Sequence, residues 1–423
     1  MEINEKTIKR SQIYYILEAG LEYLISILVA GAYLAKLTES LGMSDQVTGI
    51  MSSIISLGHL FQLGSLLMRP KRVKKLVVGL SIANQLLFML LYVIPLGSGS
   101  NSFRSVLFVV VILGAYLLYN LAHPKKINWF MSLIDDSVRG RFTSIKEIIS
   151  LIMGVVFTFA MGAVVDYFEA RGELKVAFIV CGITIAVLMV LHTLTMLCSV
   201  EKPQKVIPGK RKAFKSMLKD KNILKISAMF ALWYMTTYAS APFLGSYQNK
   251  ELGFSMTFIS LIGFIGSGVR IAFSFFWGSV ADKRSFKTML TWCLSVAALS
   301  YFINIFTVPA NGRFFFIGYS VCQAVAHAGI NSALINLVYD YVDKAHRADA
   351  IAITQTVSGV IGFCMTLGAG VLVDYVQKSG NQFMGLNVYA QQVTAALSFV
   401  MNLLVILYLV TQIKGTRIGN KEE

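Results

Sequence analysis

Gly162-Ala-Val-Val-Asp166-Tyr167 returns 208 residues later as Gly370-Val-Leu-Val-Asp374-Tyr375. Tracing both copies toward their N-terminal ends keeps them in register without a gap: Gly154 meets Gly362, Ile145 meets Ile353 and Arg139 meets Arg347. Two further pairs run at a slightly larger offset. Leu60-Phe-Gln-Leu-Gly64-Ser65 matches Ser274-Phe-Phe-Trp-Gly278-Ser279, each before a basic turn. Gly31-Ala-Tyr33 matches Gly245-Ser-Tyr247, followed in turn by Leu-Gly-Met-Ser (41–44) and Leu-Gly-Phe-Ser (252–255). A period near 210 residues is too long for a solenoid. It marks two halves descended from a duplication, and two related halves around a path are the plan of a secondary transporter in a membrane.

The composition points to a membrane. Of 423 residues, 56% are hydrophobic and 14% charged, where a soluble domain carries about 25% charged residues. A helix crossing the hydrocarbon core needs about 20 mostly apolar residues. Twelve such segments can be placed, at 12–35, 46–68, 76–96, 104–124, 144–168, 175–199, 223–246, 256–281, 286–308, 314–339, 350–376 and 390–413. They are long and continuously apolar without period-two alternation, so helices are expected rather than a barrel. The expected fold class is an all-α integral membrane protein of twelve transmembrane helices in two pseudo-symmetric six-helix bundles. The first apolar run is long enough to span, and no cleavable signal peptide is read.

The net charge of +16 is a topology signal. With twelve spans, the side holding both termini carries 30 of the 38 Lys and Arg residues, and an excess of Lys and Arg marks the cytoplasmic side. A multi-pass protein of the plasma membrane with both termini in the cytoplasm is expected. Its basic loops have anionic lipid head groups as partners, and nucleic acid is not needed to explain the charge.

The domain reading is an N-terminal bundle over 1–199, a basic cytoplasmic linker over 200–222 and a C-terminal bundle over 223–423. The linker's Pro, Gly and Lys content suits a solvated tether. Cys181, Cys198, Cys293, Cys322 and Cys364 are scattered singly, which argues against disulfides and metal. Pro242 should break the seventh span. Gly154, Gly162, Gly263, Gly266, Gly268, Gly359, Gly362, Gly368 and Gly370 suit close helix crossings.

Between the eighth and ninth spans stands Gly278-Ser-Val-Ala-Asp282-Lys283-Arg284-Ser-Phe-Lys287. This resembles the Gly-x-x-x-Asp-Arg-x-Gly-Arg-Arg loop of the major facilitator superfamily. The first-half copy, Gly64-Ser-Leu-Leu-Met68-Arg69-Pro-Lys-Arg72, has Met68 in place of the acid. Asp135-Asp136-Ser-Val-Arg139-Gly140-Arg141 is similar to the acidic/Arg-Gly-Arg signature of the same superfamily. The resemblance, which covers the whole chain, implies the major facilitator fold. It also implies a gating role for Gly64, Arg69, Arg139, Arg141, Gly278, Asp282 and Arg284. No subfamily signature is matched, since the fifth span lacks the Gly-Pro pair of drug/proton antiporters.

Ionisable groups inside a span are costly and are functional suspects. Glu22, His59, Arg270 and His327 all fall roughly 12–18 Å from the cytoplasmic ends of their spans at ~1.5 Å per residue. Glu18 lies one turn from Glu22 on the same face. The tenth span adds Tyr319, Gln323, His327 and Asn331 at four-residue spacing; the fourth adds Tyr116, Tyr119 and Asn120; the seventh adds Trp233 and Tyr234 beside the Pro242 break. In the superfamily the first, fourth, seventh and tenth helices line the cavity, so the resemblance supports these positions. The expected substrate site is therefore Glu22, Tyr116, Tyr119, Asn120, Trp233, Tyr234, Arg270, Tyr319, Gln323, His327 and Asn331. Glu18, Glu22 and His327 are the candidates for carrying a coupling proton.

No phosphate-binding glycine loop and no hydrolase or metalloprotease motif occurs, so no catalytic residue, metal site or cofactor is read and the chain is not expected to be an enzyme. The expected function is a secondary active transporter that moves a small polar organic solute (a sugar, glycoside or organic anion) by alternating access. Its partners are that solute, protons or another coupling ion, and membrane lipids, and the chain acts as a monomer. The alternative is a drug/proton antiporter that exports cationic amphiphiles.

Overall fold

The computed structural model describes residues 4–67, 72–134, 139–202, 220–342 and 347–413. Most of the linker expected over 200–222 lies outside the described residues. The described chain is almost wholly helical. Its elements are α1 (Glu5–Leu28), α2 (Gly31–Ser40), α3 (Asp45–Leu67), α4 (Val73–Val93), α5 (Asn101–Met131), α6 (Arg139–Glu169), α7 (Leu174–Cys198), α8 (Lys221–Tyr238), α9 (Met256–Lys283), α10 (Phe286–Ile305), α11 (Gly312–Tyr341), α12 (Arg347–Lys378) and α13 (Ala390–Gln412). Among the described residues, ten helical stretches are long and apolar enough to cross a membrane, the first comprising α1 and α2 together. The other two of twelve spans fall on α3 and on α8 with the turns that follow it.

Local chemistry sets the boundaries. Asn4, Ser100, Asp220 and Ser285 accept backbone N–H groups at the starts of α1, α5, α8 and α10, the role of an N-cap side chain. Pro242 ends the regular helix as expected. α8 stops at Tyr238, a 3₁₀ turn covers Ala241–Phe243, and a π turn covers Tyr247–Glu251. The repeated Leu-Gly-x-Ser segments fold alike, since Gly42 and Gly253 both hold positive φ, 69° and 61°, a conformation that costs glycine little. The sequence reading did not anticipate the short hairpin Gln382–Phe383 with Leu386–Asn387, which turns at Met384-Gly385.

Two compact units emerge, and each takes in a segment from the other half of the sequence. Unit 1 comprises 1–44, 58–207 and 254–260; unit 2 comprises 45–57, 208–253 and 261–423. In unit 1, α4 packs on α5 and α7, and α1 packs on α7 and α6. In unit 2 the repeat-related pairs recur: α10 packs on α11 and α13, and α8 packs on α13 and α12. The duplication in sequence is thus a duplication of packing.

Close approach holds at Gly154, Gly162, Gly362 and Gly370, where an added Cβ would come within about 3 Å of a neighbour. It does not hold at Gly263, Gly268 or Gly368, which have nothing within 4 Å.

The repeated aspartates diverge. In unit 1 both carboxylate oxygens of Asp166 accept backbone N–H groups at the start of α9, from Met256 and Thr257 at 2.7 Å each. Asp374 instead pairs with the exposed Lys378 on its own helix at 2.8 Å, a contact of small energetic weight. Asp166→Ala should therefore cost about 1 kcal/mol, as the loss of a cap does, and Asp374→Ala little. Thermal unfolding of the two variants checks this, and equal effects would remove the capping role.

Candidate functional site

The site in unit 1 begins with a helix that does not stop where expected. Pro124 lacks the N–H that would bond the carbonyl of residue 120, yet α5 runs on to Met131. Trp129 and Phe130 carry it. Both are fully buried, in a cluster with Tyr15, Val77, Leu133, Ile134 and Met196. Tyr15 stacks on Phe130 with 4.4 Å between ring centroids, and the Trp129 indole donates to the Val200 carbonyl at 2.8 Å. Burying two such side chains stabilises by about 1.5–3 kcal/mol each. That is enough to extend the helix beyond Pro124 and draw Lys126 inward with it.

Lys126, 3% exposed, donates to Glu18 Oε1 at 2.7 Å and also to Glu22 Oε2. The same Glu18 oxygen accepts from His192 Nε2 at 2.9 Å. His192 Nδ1 faces the Gln85 side-chain nitrogen at 3.0 Å. An amide nitrogen can only donate, so Nδ1 is the acceptor and Nε2 carries the proton; the imidazole is neutral in this arrangement. Two carboxylates against one ammonium leave one negative charge unmatched. Glu18 is fully buried, and its Oε2 has no hydrogen-bond partner among the described residues. Glu22, with 21% of its side chain exposed, is the accessible member. Uncompensated charge in a low-dielectric interior costs several kcal/mol, so the cluster has a place for one more positive charge. Glu18, Glu22 and His192 offer ligand atoms within 4.8 Å of one another, the spacing of a metal's donor set, and the Lys126 ammonium occupies that role.

Tyr119 and His123 stand two turns and one turn before Lys126 on α5, their rings stacked at 5.0 Å, and His123 Nδ1 has no partner among the described residues. Asn120 donates to the Tyr116 carbonyl at 2.8 Å, and Tyr116 packs edge-on against Phe88. Asn120 also lies against Gly58, where a Cβ would come within 2.1 Å of its side-chain nitrogen.

Unit 2 has a different chemistry. Trp233 of α8 meets His327 of α11 edge to face, with 5.5 Å between centroids. Tyr234 and Tyr238 stack at 5.6 Å. Tyr319 and Gln323 precede His327 on α11, and the Tyr301 hydroxyl of α10 comes near Gln323 and Thr237. No hydrogen bond of good geometry closes among Tyr301 Oη, Thr237 Oγ1 and Gln323 Oε1, and all three are buried. Buried polar atoms left without a partner cost about 1–3 kcal/mol each, so this aromatic cluster holds uncharged hydrogen-bonding capacity. Arg270 of α9 is exposed, with its charge near His327. Asn331 is exposed. Its four-residue spacing drifts about 40° around a helix at each step, which turns the end of the stripe away from its start.

Of the expected gating residues, Arg69 lies outside the described residues. Gly64 lies in α3, Arg139 and Arg141 open α6, and Gly278 and Asp282 lie in α9. Arg284 sits over the Trp292 ring at 5.0 Å. His59 belongs to α3. The sequence reading missed Lys126, His192, Gln85 and Tyr301.

A model of the Major Facilitator Superfamily matches residues 19–366 and 234–419. No curated relative matches the sequence. Similar solved structures include the nucleoside transporter NupG, at 13% identity, covering 96% of this chain and 98% of that chain, with a TM-score of 0.69. A bacterial homologue of the iron transporter ferroportin in its inward-facing state is similar at 13% identity, covering 97% and 99%, with TM-score 0.71. A D-xylose-proton symporter is similar at 14% identity, covering 96% and 98%, with TM-score 0.66. At these identities the likeness is one of fold.

Proposed function

The chain belongs to the major facilitator superfamily, and from that premise we propose that it is a proton-coupled secondary transporter of a small polar organic solute, a sugar, glycoside or organic anion. The observation that carries the coupling is the unmatched carboxylate of the Glu18–Lys126–Glu22 cluster. Glu18 is held by Lys126 and by the neutral His192, so it serves as a fixed negative charge. Glu22 shares the same ammonium and is the accessible carboxylate, so it takes the coupling proton. With Glu22 protonated, Lys126 and Glu18 balance and the cluster is neutral, which lowers the cost of sealing it from water. His327, in contact with Trp233, belongs to the substrate wall rather than to this charge balance.

Substrate recognition is assigned to Tyr116, Tyr119 and Glu22 in unit 1, and to Trp233, Tyr234, Tyr319, Gln323, His327 and Arg270 in unit 2. Aromatic faces beside unpaired hydroxyl and amide groups suit a solute with one apolar face and several hydroxyls. The unmatched negative charge also favours a second reading, a drug/proton antiporter in which a cationic amphiphile and a proton compete for Glu22. Orientation in the plasma membrane with both termini cytoplasmic rests on the charge distribution. The chain acts as a monomer in this reading.

Uptake by reconstituted vesicles under an imposed pH gradient tests the proposal. A pooled sugar or organic anion should accumulate on the alkaline side, and a protonophore should abolish the accumulation. Accumulation of any pool that persists with the protonophore would remove proton coupling. Efflux of a cationic amphiphile against inward proton flow would select the second reading. For the site, Trp233→Ala should raise the half-saturating substrate concentration by about tenfold or more, as the loss of an aromatic anchor does. An unchanged value would take unit 2's aromatic wall out of the site.

A further inference from the structure

A pocket lies in unit 2, built from the start of α3, the 3₁₀ and π turns after α8, the end of α12 and the start of α13. Asp45, Tyr247, Glu251, Gln377 and Gln391 are among its lining residues. Asp45 is buried and held on both oxygens. Oδ1 accepts from Lys250 Nζ at 2.6 Å and Oδ2 from Gln377 Nε2 at 2.7 Å. Glu251 is half-buried beside it, and its carboxylate makes no hydrogen bond or ion pair among those described. Burial, and then the charge of Asp45, push its carboxyl above the ordinary range, with Lys250 opposing. Tyr247 spends its hydroxyl on the Thr307 carbonyl at 2.6 Å. Gln391 is 3% exposed; its nitrogen donates to Ser240 Oγ at 2.6 Å, and its Oε1 has no partner among the described residues.

We propose that this pocket binds a small hard cation, Ca²⁺ or Na⁺, through the Asp45 and Glu251 carboxylates and the Gln391 carbonyl oxygen. Two carboxylates and one ammonium leave one negative charge, and the unpartnered amide oxygen supplies an acceptor that no donor in the pocket uses. An all-oxygen donor set selects hard cations over the transition metals that imidazole and thiolate prefer. Lys250 is the built-in competitor: it neutralises Asp45 alone and leaves Glu251 and Gln391 to the ion. The facing groups from α12 and α13 are the neutral amides Gln377 and Gln391, so the charge balance rests on Asp45, Lys250 and Glu251. The site is separate from the Glu18–Lys126–Glu22 cluster and does not depend on the transport reading. In the orientation expected from the basic loops it faces away from the cytoplasm, where both cations are abundant.

The test uses the purified full-length protein in detergent. Its thermal unfolding is followed against CaCl₂ or NaCl, with choline chloride keeping ionic strength constant. A ligand that binds only the folded state raises the unfolding midpoint in proportion to its saturation. One of the two cations should raise the midpoint saturably at pH 7.5. Glu251→Gln, nearly isosteric, should abolish the rise without lowering the midpoint measured in choline. Glu251→Asp should retain the rise with weaker affinity. Lys250→Met should tighten binding by about tenfold, from the loss of one competing charge at short range. No cation effect in the wild-type protein, or an undiminished effect in Glu251→Gln, would overturn the site. A midpoint that responds to pH alone would also overturn it, leaving a protonated Glu251 in its place.

Discussion

Replacing Lys126 with methionine should destabilise the protein by about 3–5 kcal/mol, the cost of stripping the partner from a buried ion pair. Methionine keeps the volume of the stem, so the loss isolates the charge. Glu18 would then sit fully buried with only the neutral His192 to offset it, and Glu22 would lose its ammonium as well. The rescue is more informative than the loss. Lys126→Met combined with Glu18→Gln and Glu22→Gln removes all three charges and should recover most of the stability, because replacing a buried ionic group by neutral residues is often close to neutral. Thermal unfolding of the single, double and triple variants measures the coupling. If the triple variant is no more stable than Lys126→Met, the ammonium is not balancing these carboxylates.

The second large effect concerns transport. Glu22→Gln should abolish accumulation driven by a pH gradient while leaving exchange of labelled for unlabelled substrate across the vesicle membrane. Glutamine mimics a permanently protonated Glu22: the cluster is neutral with Lys126 and Glu18 paired, so the carrier can seal and reopen with substrate but cannot release a proton. Glu18→Gln should behave differently. It removes the fixed charge and leaves Lys126 and Glu22 as a balanced pair that has no need of a proton, and His192 then meets a neutral amide in place of a carboxylate. Accumulation should then be impaired together with stability. If Glu22→Gln accumulates substrate as the wild type does, Glu22 is not the coupling group.

Much of the fold was legible because it is written twice. The spans could be placed from apolar length, the two halves from the Gly162 and Gly370 segments, and the break in the seventh span from Pro242. The equal positive φ of Gly42 and Gly253 shows that even a turn is repeated. Half of the charge cluster was also legible. Glu18 and Glu22 lie one turn apart in an apolar span, and their cost in a membrane marks them.

Their partners were hidden for physical reasons. Pro124-Lys125-Lys126 reads as the end of a span followed by a basic cytoplasmic turn. The contrary signal was Trp129-Phe130, two large apolar residues one turn beyond Lys126 that continue the buried face. His192 is the single histidine of an apolar helix, and nothing in its own neighbourhood distinguishes packing from the bond to Glu18, 174 positions earlier. Such long-range pairing exists only once α1, α4, α5 and α7 are packed together.

The central claim is that substrate movement carries protons through this chain. Vesicles reconstituted with the wild-type protein and loaded with a pH-sensitive dye test it most directly, with pooled sugars, organic anions and cationic drugs added in turn. One pool should acidify the interior, and the signal should disappear in Glu22→Gln. A labelled solute that enters the same vesicles while the dye stays silent would contradict the account, making the protein a uniporter or a carrier coupled to another ion.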